Sequence, residues 1–230
     1  KESRKIVKNI LKIENSKSTG QEIIYPLPSL QIEELEKALE ITSIRSIKES
    51  FILFNSSIVK RKKLENAINY FLDSNLPRRN FLFCIAGKMH KSDYCNYIED
   101  LCKNHRNILL LDYVSETEKA WLFLNSSLLI STSSFEGFGI PLLDALSLNL
   151  SSLATSIPSH QEIKNLRKKN KIYLLKQDKQ SKWIDKLNSI TKFDIKNNEA
   201  KRKRINHFKY LQNEFESDYL FKIGKFLNNK

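Results

Sequence analysis

The sequence is organised by short apolar runs that recur along most of the chain, separated by longer segments with helical periodicity. The runs lie at 51–54, 81–85, 108–111, 128–130, 153–154 and 172–175. Strands without polar alternation are typical of parallel sheets that are covered by helices on both faces. The pattern therefore predicts an α/β fold with a doubly wound, mostly parallel, Rossmann-like sheet.

Amphipathic patterns and capping signals mark the helices between these runs. Apolar residues from Leu64 to Leu72 share one helical face. Ser115 with Glu118 and Ser159 with Glu162 have the spacing of a capping box, which predicts a helix start at each serine. Further helices are expected at 3–13, 31–40 and 195–227, and a short strand at 23–25.

One predicted strand-to-helix turn, within residues 131–146, has an unusual composition. It holds Glu136 and two of only five glycines in the chain, Gly137 and Gly139. Glycines allow a tight turn with open backbone N–H groups at a helix start, where anionic or hydroxyl-rich ligands are favoured. Pro141 suits the first helical turn, where a missing N–H costs nothing. The stretch therefore predicts a ligand-binding turn.

The predicted topology brings this turn close to a basic loop. In the common strand order 3-2-1-4-5-6 the first and fourth strands are neighbours, and ligands bind beyond their carboxyl ends. Cations suited to phosphate then face a carboxylate suited to hydroxyl groups, so the expected ligand is both a phosphate ester and a sugar. The residues in the two loops are Ser56, Ser57, Lys60, Arg61 and Lys62 after the first strand, and Ser133, Glu136, Gly137 and Gly139 after the fourth.

The formal net charge of +13 suits nucleic acid, an anionic membrane surface or a phosphorylated substrate. The basic runs at 60–63, 167–169 and 201–204 are dispersed, and the last two are interpreted as solvated faces. The net charge therefore does little to distinguish between these three kinds of partner. No apolar run approaches the roughly 18 residues that span a bilayer. The three cysteines lack metal-binding spacing and fit the reduced core of a cytosolic protein.

Residues 136–146 resemble the E-x7-E signature of retaining GT-B glycosyltransferases of family 4, the glycosyl transferases group 1, with Asp144 in the second acidic position. The resemblance covers roughly 50–190, and its central segment is the specific part. The flanking segments that are similar to the family are Arg61–Leu64, Ile85–Lys88, Tyr113–Ser115 and Ile157–Glu162.

The resemblance implies a domain that binds a UDP, GDP or ADP sugar, with Glu136 and Lys62 as the catalytic residues. Glu136 is expected to contact hydroxyls of the donor sugar, and Asp144 the ribose. Lys62 is expected to neutralise the diphosphate, with Arg61 as the alternative. The family needs no dedicated metal, so the donor is the only small molecule expected. The remaining nucleotide-sugar-binding positions are Ser56, Ser57, Gly87, Val114, Gly137, Phe138, Gly139 and Ile140.

The sequence departs from the family pattern at several positions. Ser56 and Ser57 replace a usual glycine and a frequent arginine after the first strand. Asp144 is one methylene shorter than glutamate, which retracts its carboxylate by about 1.5 Å. Asp112 and Asn149 stand where the family usually has glycine. Because Glu136, both turn glycines and Lys62 are retained, an active enzyme is favoured over a domain that binds weakly.

The resemblance also implies a domain organisation and a set of partners. Residues 1–50 are interpreted as the remnant of an N-terminal domain with a hinge, 51–195 as the nucleotide-sugar-binding domain, and 196–230 as a helical region that packs back on the fold. The expected partners are an N-terminal GT-B domain and a glycan or lipid-linked acceptor, and not nucleic acid. The isolated chain is expected to bind donor but to transfer little sugar. A cytoplasmic location, with peripheral contact with an anionic membrane face, is a family-level expectation.

Alternatives stay open at this point. A non-catalytic interaction module would not be stabilised by nucleotide sugars, and a nucleic-acid-binding protein would bind oligonucleotides in a salt-sensitive way. Glu136 could cap the following helix, Asp144 could be an ordinary first-turn acid, and Lys62 could be a solvated surface lysine. The four histidines match no catalytic motif and are expected at the surface.

Overall fold

Six parallel strands form a single sheet. The computed structural model describes residues 27–228, with side chains up to Asp218, so the helix and strand expected at 3–13 and 23–25 lie outside the described residues. The strands are β1 (Phe51–Asn55), β2 (Leu82–Ala86), β3 (Ile108–Asp112), β4 (Leu128–Ser131), β5 (Ser152–Thr155) and β6 (Ile172–Leu175). Their order is β3-β2-β1-β4-β5-β6, which confirms the predicted fold class and strand order.

Helices connect the strands and cover both faces of the sheet. They are α1 (Ile32–Glu40), α2 (Leu64–Asp73), α3 (Asp93–Cys102), α4 (Glu116–Asn125), α5 (Ile140–Ser147), α6 (Pro158–Asn165), α7 (Gln180–Asn188) and α8 (Asn198–Asn228). Ser115 and Glu118 form the predicted capping box of α4. The capping box predicted at Ser159 is wrong. Pro158 suits the first helical position, so α6 begins there and Ser159 lies inside the first turn.

The core consists of two apolar layers separated by the sheet. Alternate residues of β1 point to opposite layers, which is why the strand is apolar throughout. Phe51 and Leu53 face the layer formed with α1, α4, α5 and α8. Ile52 and Phe54 face the layer formed with α2, α3 and α7. The three cysteines are buried and free, as predicted.

Part of the basic run at the start of α8 is structural. Lys201 is only 2% exposed, and Arg204 donates to three backbone carbonyls at the end of α4, where helix carbonyls lack partners within the helix. Burial lowers the pKa of Arg204 to about 10. The interpretation of this run as a solvated face is therefore wrong for these two residues. No helix of residues 27–228 has the length and apolar character needed to cross a bilayer.

The strand order reverses between β1 and β4, and this junction positions the site. Ile52 lies opposite Leu128 and Leu53 opposite Leu129 in the parallel pair. The loops that follow the two strands therefore emerge side by side at the carboxyl edge of the sheet, where α/β sheets bind ligands.

Candidate functional site

The loop after β1 turns Lys62 inward. Residues Lys60–Lys62 form a single 3-10 turn, in which the Lys62 N–H donates to the Val59 carbonyl at 2.9 Å. Lys63 follows with a left-handed backbone, φ 51°, and starts α2. The side chain of Lys62 is 6% exposed as a result. The alternative interpretation of Lys62 as a solvated surface lysine is therefore wrong.

Backbone and hydroxyl hydrogen bonds join this loop to the loop after β4. The Ser134 N–H donates to the Arg61 carbonyl at 2.8 Å. The Thr132 hydroxyl lies 3.0 Å from the Lys62 carbonyl and 2.8 Å from the Lys63 carbonyl, and donates to them. These contacts fix the distance between the basic turn and the carboxylate turn, as the predicted topology required.

Three side chains donate to the Glu136 carboxylate. Lys62 Nζ donates to Oε1, Arg61 donates to Oε2 at 3.0 Å, and Ser133 Oγ donates to Oε1 at 2.6 Å. The Glu136 side chain is 9% exposed, whereas that of Arg61 is 48% exposed. The pair of Lys62 and Glu136 is therefore buried, and Arg61 covers it from the solvent side.

Burial and pairing act on the pKa of both partners. Burial lowers the pKa of Lys62, and the hydrogen bond from Lys62 to Glu136 opposes this only in part. Burial by itself raises the pKa of Glu136, but hydrogen bonds from Lys62 and Ser133 outweigh it and hold the pKa below its usual range. Glu136 is therefore a carboxylate at neutral pH, and cationic groups surround it.

The glycine turn leads directly from this carboxylate into α5. Gly139 has φ 97°, a conformation that favours glycine, and it caps the helix. Its carbonyl accepts the Leu142 N–H at 2.9 Å. Gly137 is exposed, whereas Phe138 and Ile140 are half-buried. The N-terminus of α5, with Gly139 and Ile140, thus lies at the same edge of the sheet as Glu136 and its cationic partners.

Asp144 lies in a different environment from the one expected. It is 1% exposed, and its Oδ1 accepts the backbone N–H groups of Ser29 at 2.6 Å and Leu30 at 3.3 Å. Its Oδ2 accepts the Ser29 hydroxyl at 2.6 Å. The carboxylate is therefore occupied by the segment that precedes α1, and a ribose contact would require that segment to move. No sequence pattern indicated this pairing, because the partners are more than 100 residues apart.

The structure explains two departures from the family pattern. Asp112 and Asn149, which stand where the family usually has glycine, have φ values of 53° and 52°. Aspartate and asparagine tolerate this left-handed conformation better than other side chains do. The turns are therefore kept although their glycines are lost.

Gly87 packs directly against the backbone that follows β1, which leaves no room for a side chain. A Cβ on Gly87 would lie 1.7 Å from the Ser56 carbonyl oxygen, so no other residue fits without a backbone shift. Ser56 lines a small cavity together with Glu136 and Gly139. Ser57 is exposed and Val114 half-buried. Their expected contacts with a nucleotide sugar stay predictions.

His160 also lines this cavity, and its predicted surface location is wrong. It is 1% exposed, and its Nδ1 lies 2.9 Å from the Thr155 carbonyl. His207 is half-buried, whereas His90 and His105 are exposed as expected. A lone histidine after Pro158 carries no local signal of burial, which is why sequence reasoning missed it.

The fold and this arrangement of cations, carboxylate and glycine turn define a domain of the glycosyltransferase type. A sequence model of the family Glycosyl transferases group 1 matches residues 39–207. The chain therefore belongs to the glycosyl transferases group 1. No curated protein matches it.

Solved structures show the same fold at low sequence identity. The C-terminal domain of the group 1 glycosyl transferase LpcC from Francisella tularensis is 16% identical with a TM-score of 0.57, and the match covers 86% of this chain and 98% of that one. A glycosyltransferase from Rickettsia africae is 22% identical with a TM-score of 0.61, covering 88% and 54%. Anabaena Alr3699/HepE, solved in complex with UDP and glucose, is 12% identical with a TM-score of 0.60, covering 80% and 49%.

The fraction of each solved chain that the match covers indicates which part of a glycosyltransferase this fold corresponds to. The chain spans about half the length of the first matched glycosyltransferases, 56% and 49%. It covers nearly all of the isolated LpcC domain. Its fold is therefore that of the C-terminal domain of a GT-B glycosyltransferase.

Proposed function

We propose that this chain is the donor-binding half of a retaining GT-B hexosyltransferase, which uses a nucleoside-diphosphate sugar and passes the sugar to a glycan or lipid-linked acceptor. The observation that carries the proposal is the convergence of Lys62 and Arg61 on Glu136 beside the glycine turn. Cations for a diphosphate and a carboxylate for sugar hydroxyls lie in one place, as a nucleotide sugar requires.

In this proposal Glu136 is paired with Lys62 and Arg61 until the donor binds. The diphosphate takes over Lys62 and Arg61, and the carboxylate then accepts hydrogen bonds from sugar hydroxyls. When the bond between the sugar and the diphosphate breaks, the leaving oxygens gain charge, which Lys62, Arg61 and the positive end of the α5 dipole stabilise. No metal is needed for this step.

The acceptor side belongs to a second GT-B domain in the proposal. This is supported by the match to an isolated C-terminal domain and to only half of complete enzymes. In the proposal, residues 1–50 are the remnant of the N-terminal domain with its hinge, 51–195 form the donor domain, and 196–230 are a helical region that packs back on the fold. A cytoplasmic location fits the free cysteines, and peripheral contact with an anionic membrane fits the exposed Lys168, Lys169 and Lys171.

Calorimetric titration with UDP, GDP and ADP, and with their sugars, tests the proposal. One nucleotide series is expected to bind the wild type, and Lys62→Ala is expected to weaken that binding by about 10–100-fold, because a charged hydrogen bond is lost. Glu136→Ala is expected to reduce the advantage of the nucleotide sugar over the free nucleotide. Lys60→Ala removes an exposed cation of the same turn and is expected to change the affinity less than about threefold.

Other outcomes would favour other functions. Binding of none of these nucleotides supports a non-catalytic interaction module. Salt-sensitive binding of oligonucleotides that survives Glu136→Ala supports a nucleic-acid-binding protein. Efficient sugar transfer by the isolated chain contradicts the need for an acceptor domain.

A further inference from the structure

His160 is anchored to two strands of the sheet. It lies in the first turn of α6, and its Nδ1–H donates to the carbonyl of Thr155, at the end of β5. Thr155 in turn donates its hydroxyl to the Ser131 carbonyl, at the end of β4. Since Nδ1 donates, the neutral ring carries its single N–H proton there and leaves Nε2 without one. The orientation of the ring is therefore fixed from one side.

The other edge of the ring lies beside the glycine turn. A Cβ on Gly139 would lie 3.1 Å from His160 Cδ2 and 3.3 Å from Nε2. At Gly137, two residues earlier, a Cβ would meet nothing within 4 Å. The ring, together with Ile163, whose Cδ1 would lie 3.4 Å from a Cβ on Gly139, therefore leaves little room for a side chain at Gly139, the residue with φ 97° that caps α5.

The charges around His160 come from the site itself. Burial lowers the pKa of His160; the hydrogen bond to the Thr155 carbonyl and the Glu136 charge oppose this in part, and the Lys62 charge adds to it. A neutral ring is consistent with the donor bond to Thr155. His160 is therefore a buried, neutral ring between the end of β5 and the glycine turn.

The two halves of the site have different supports. Lys62 and Arg61 are held by the 3-10 turn and by the contacts of Thr132 and Ser134. At Gly139 the glycine turn lies beside His160 and Ile163, which belong to α6 and not to the basic loop. Loss of the ring should therefore disturb one half and spare the other.

We propose that His160 is a positioning residue that holds the Gly139 turn in the form that receives the donor sugar. The inference rests on the proposed function and extends it, because it separates sugar recognition from nucleotide anchoring. The ring sets the position of the turn and, through it, the N-terminus of α5. The basic loop binds the diphosphate without the help of His160.

The decisive variant is His160→Asn. Its side-chain amide can donate to the Thr155 carbonyl as Nδ1 does, but the ring edge beneath Gly139 is gone. The affinity for the free nucleoside diphosphate is expected to stay within about twofold of the wild type. The extra affinity for the nucleotide sugar is expected to fall about fivefold or more, because a turn that is no longer preorganised must be ordered on binding. His160→Gln, whose amide reaches the position of Nε2, should restore part of that extra affinity.

His207 provides a matched control. Its Nδ1 also bonds a backbone carbonyl, that of Ser147 at 2.8 Å, but it lies on α8 and does not touch the glycine turn. His207→Asn is expected to leave both affinities unchanged. Equal losses for nucleotide and nucleotide sugar in His160→Asn, or an unchanged ratio of the two, overturn the inference about His160 alone. A wild type that binds no nucleotide sugar overturns the proposed function as well.

Hydrogen exchange gives a readout that needs no donor. The N–H groups of Leu142 and Leu143 donate to the Gly139 carbonyl at 2.9 and 3.3 Å. In unliganded His160→Asn these two amides are expected to exchange about fivefold faster or more, while amides of α2 beside Lys62 keep their rates. Unchanged exchange at Leu142 and Leu143 overturns the inference.

Discussion

Glu136 and Asp144 belong to one signature, yet the fold gives them opposite surroundings. The Glu136 carboxylate is held by side chains, among them the cationic Lys62 and Arg61 of a distant loop. The Asp144 carboxylate is held by Ser29 and Leu30, through two backbone N–H groups and one hydroxyl. One acid lies at the cavity of the site, and the other fastens the segment before α1 to α5.

The difference shows in how each carboxyl group titrates. Charged partners hold the pKa of Glu136 below its usual range against the effect of burial. Burial raises the pKa of Asp144, and the hydrogen bonds from Ser29 oppose this only in part. Cationic side chains can turn to a phosphate, whereas backbone donors can be released only by moving the chain. Glu136 is therefore bonded to side chains that can rotate, and Asp144 mainly to the backbone of the segment that it anchors.

The largest effect on stability is expected from breaking the buried ion pair. Glu136→Leu leaves Lys62 buried without its carboxylate and is expected to lower the free energy of unfolding by about 3 kcal/mol. The double variant Lys62→Met with Glu136→Leu is expected to come within about 1 kcal/mol of the wild type, because no unpaired charge is left. Urea denaturation measures both values.

An exposed ion pair serves as the control for the Glu136→Leu variant and the double variant. Glu199 pairs with Lys203 on α8, and both side chains are more than 70% exposed, at 77% and 75%. Glu199→Leu is expected to change the free energy of unfolding by less than about 0.5 kcal/mol. If Glu136→Leu costs as little as this control, water screens the pair and the contrast between the two acids is weaker than the geometry indicates.

A smaller effect is expected at the anchor. Asp144→Ala leaves the N–H groups of Ser29 and Leu30 without an acceptor and should lower the free energy of unfolding by about 1–3 kcal/mol. Asp144→Asn keeps an acceptor oxygen and should cost less than about 1 kcal/mol. Ser29→Ala removes only the hydroxyl bond and should resemble Asp144→Asn in urea denaturation. An Asp144→Ala variant as stable as the wild type would show that the segment before α1 is not held by this carboxylate.

The smallest effect is expected in how the free energy of unfolding depends on pH, with opposite signs for Glu136 and Asp144. The folded pKa of Glu136 lies below its unfolded value, so its contribution is present above the unfolded pKa and is lost as pH falls through the folded pKa. The folded pKa of Asp144 lies above its unfolded value, so its carboxyl group favours folding less as pH rises through the folded pKa. The stability deficit of Glu136→Gln should therefore shrink on acidification. Asp144→Asn should instead gain stability relative to the wild type as pH rises, and parallel curves for the two variants would contradict this assignment.

The sequence predicted most of the architecture because its signals there are local. Apolar runs and helical stripes depend on neighbouring residues, and each strand lies within one residue of its predicted run at either end. The strand order followed from a general rule of parallel sheets, and it placed Lys62 and Glu136 in one crevice. The signature around Glu136 also led to the correct family.

Only the tertiary structure decided which partner each buried polar group bonds to. The burial of Lys62, the occupation of Asp144 by Ser29 and the support of Gly139 by His160 all join segments far apart in the chain. Hydrophobic periodicity and motif spacing do not indicate such partners. A buried polar side chain bonds to the donors and acceptors that tertiary packing brings next to it. The sequence by itself thus determined the sheet, the turn and the family. The packing of distant loops decided that one of two similar acids is paired with cations at the cavity and the other with the segment before α1.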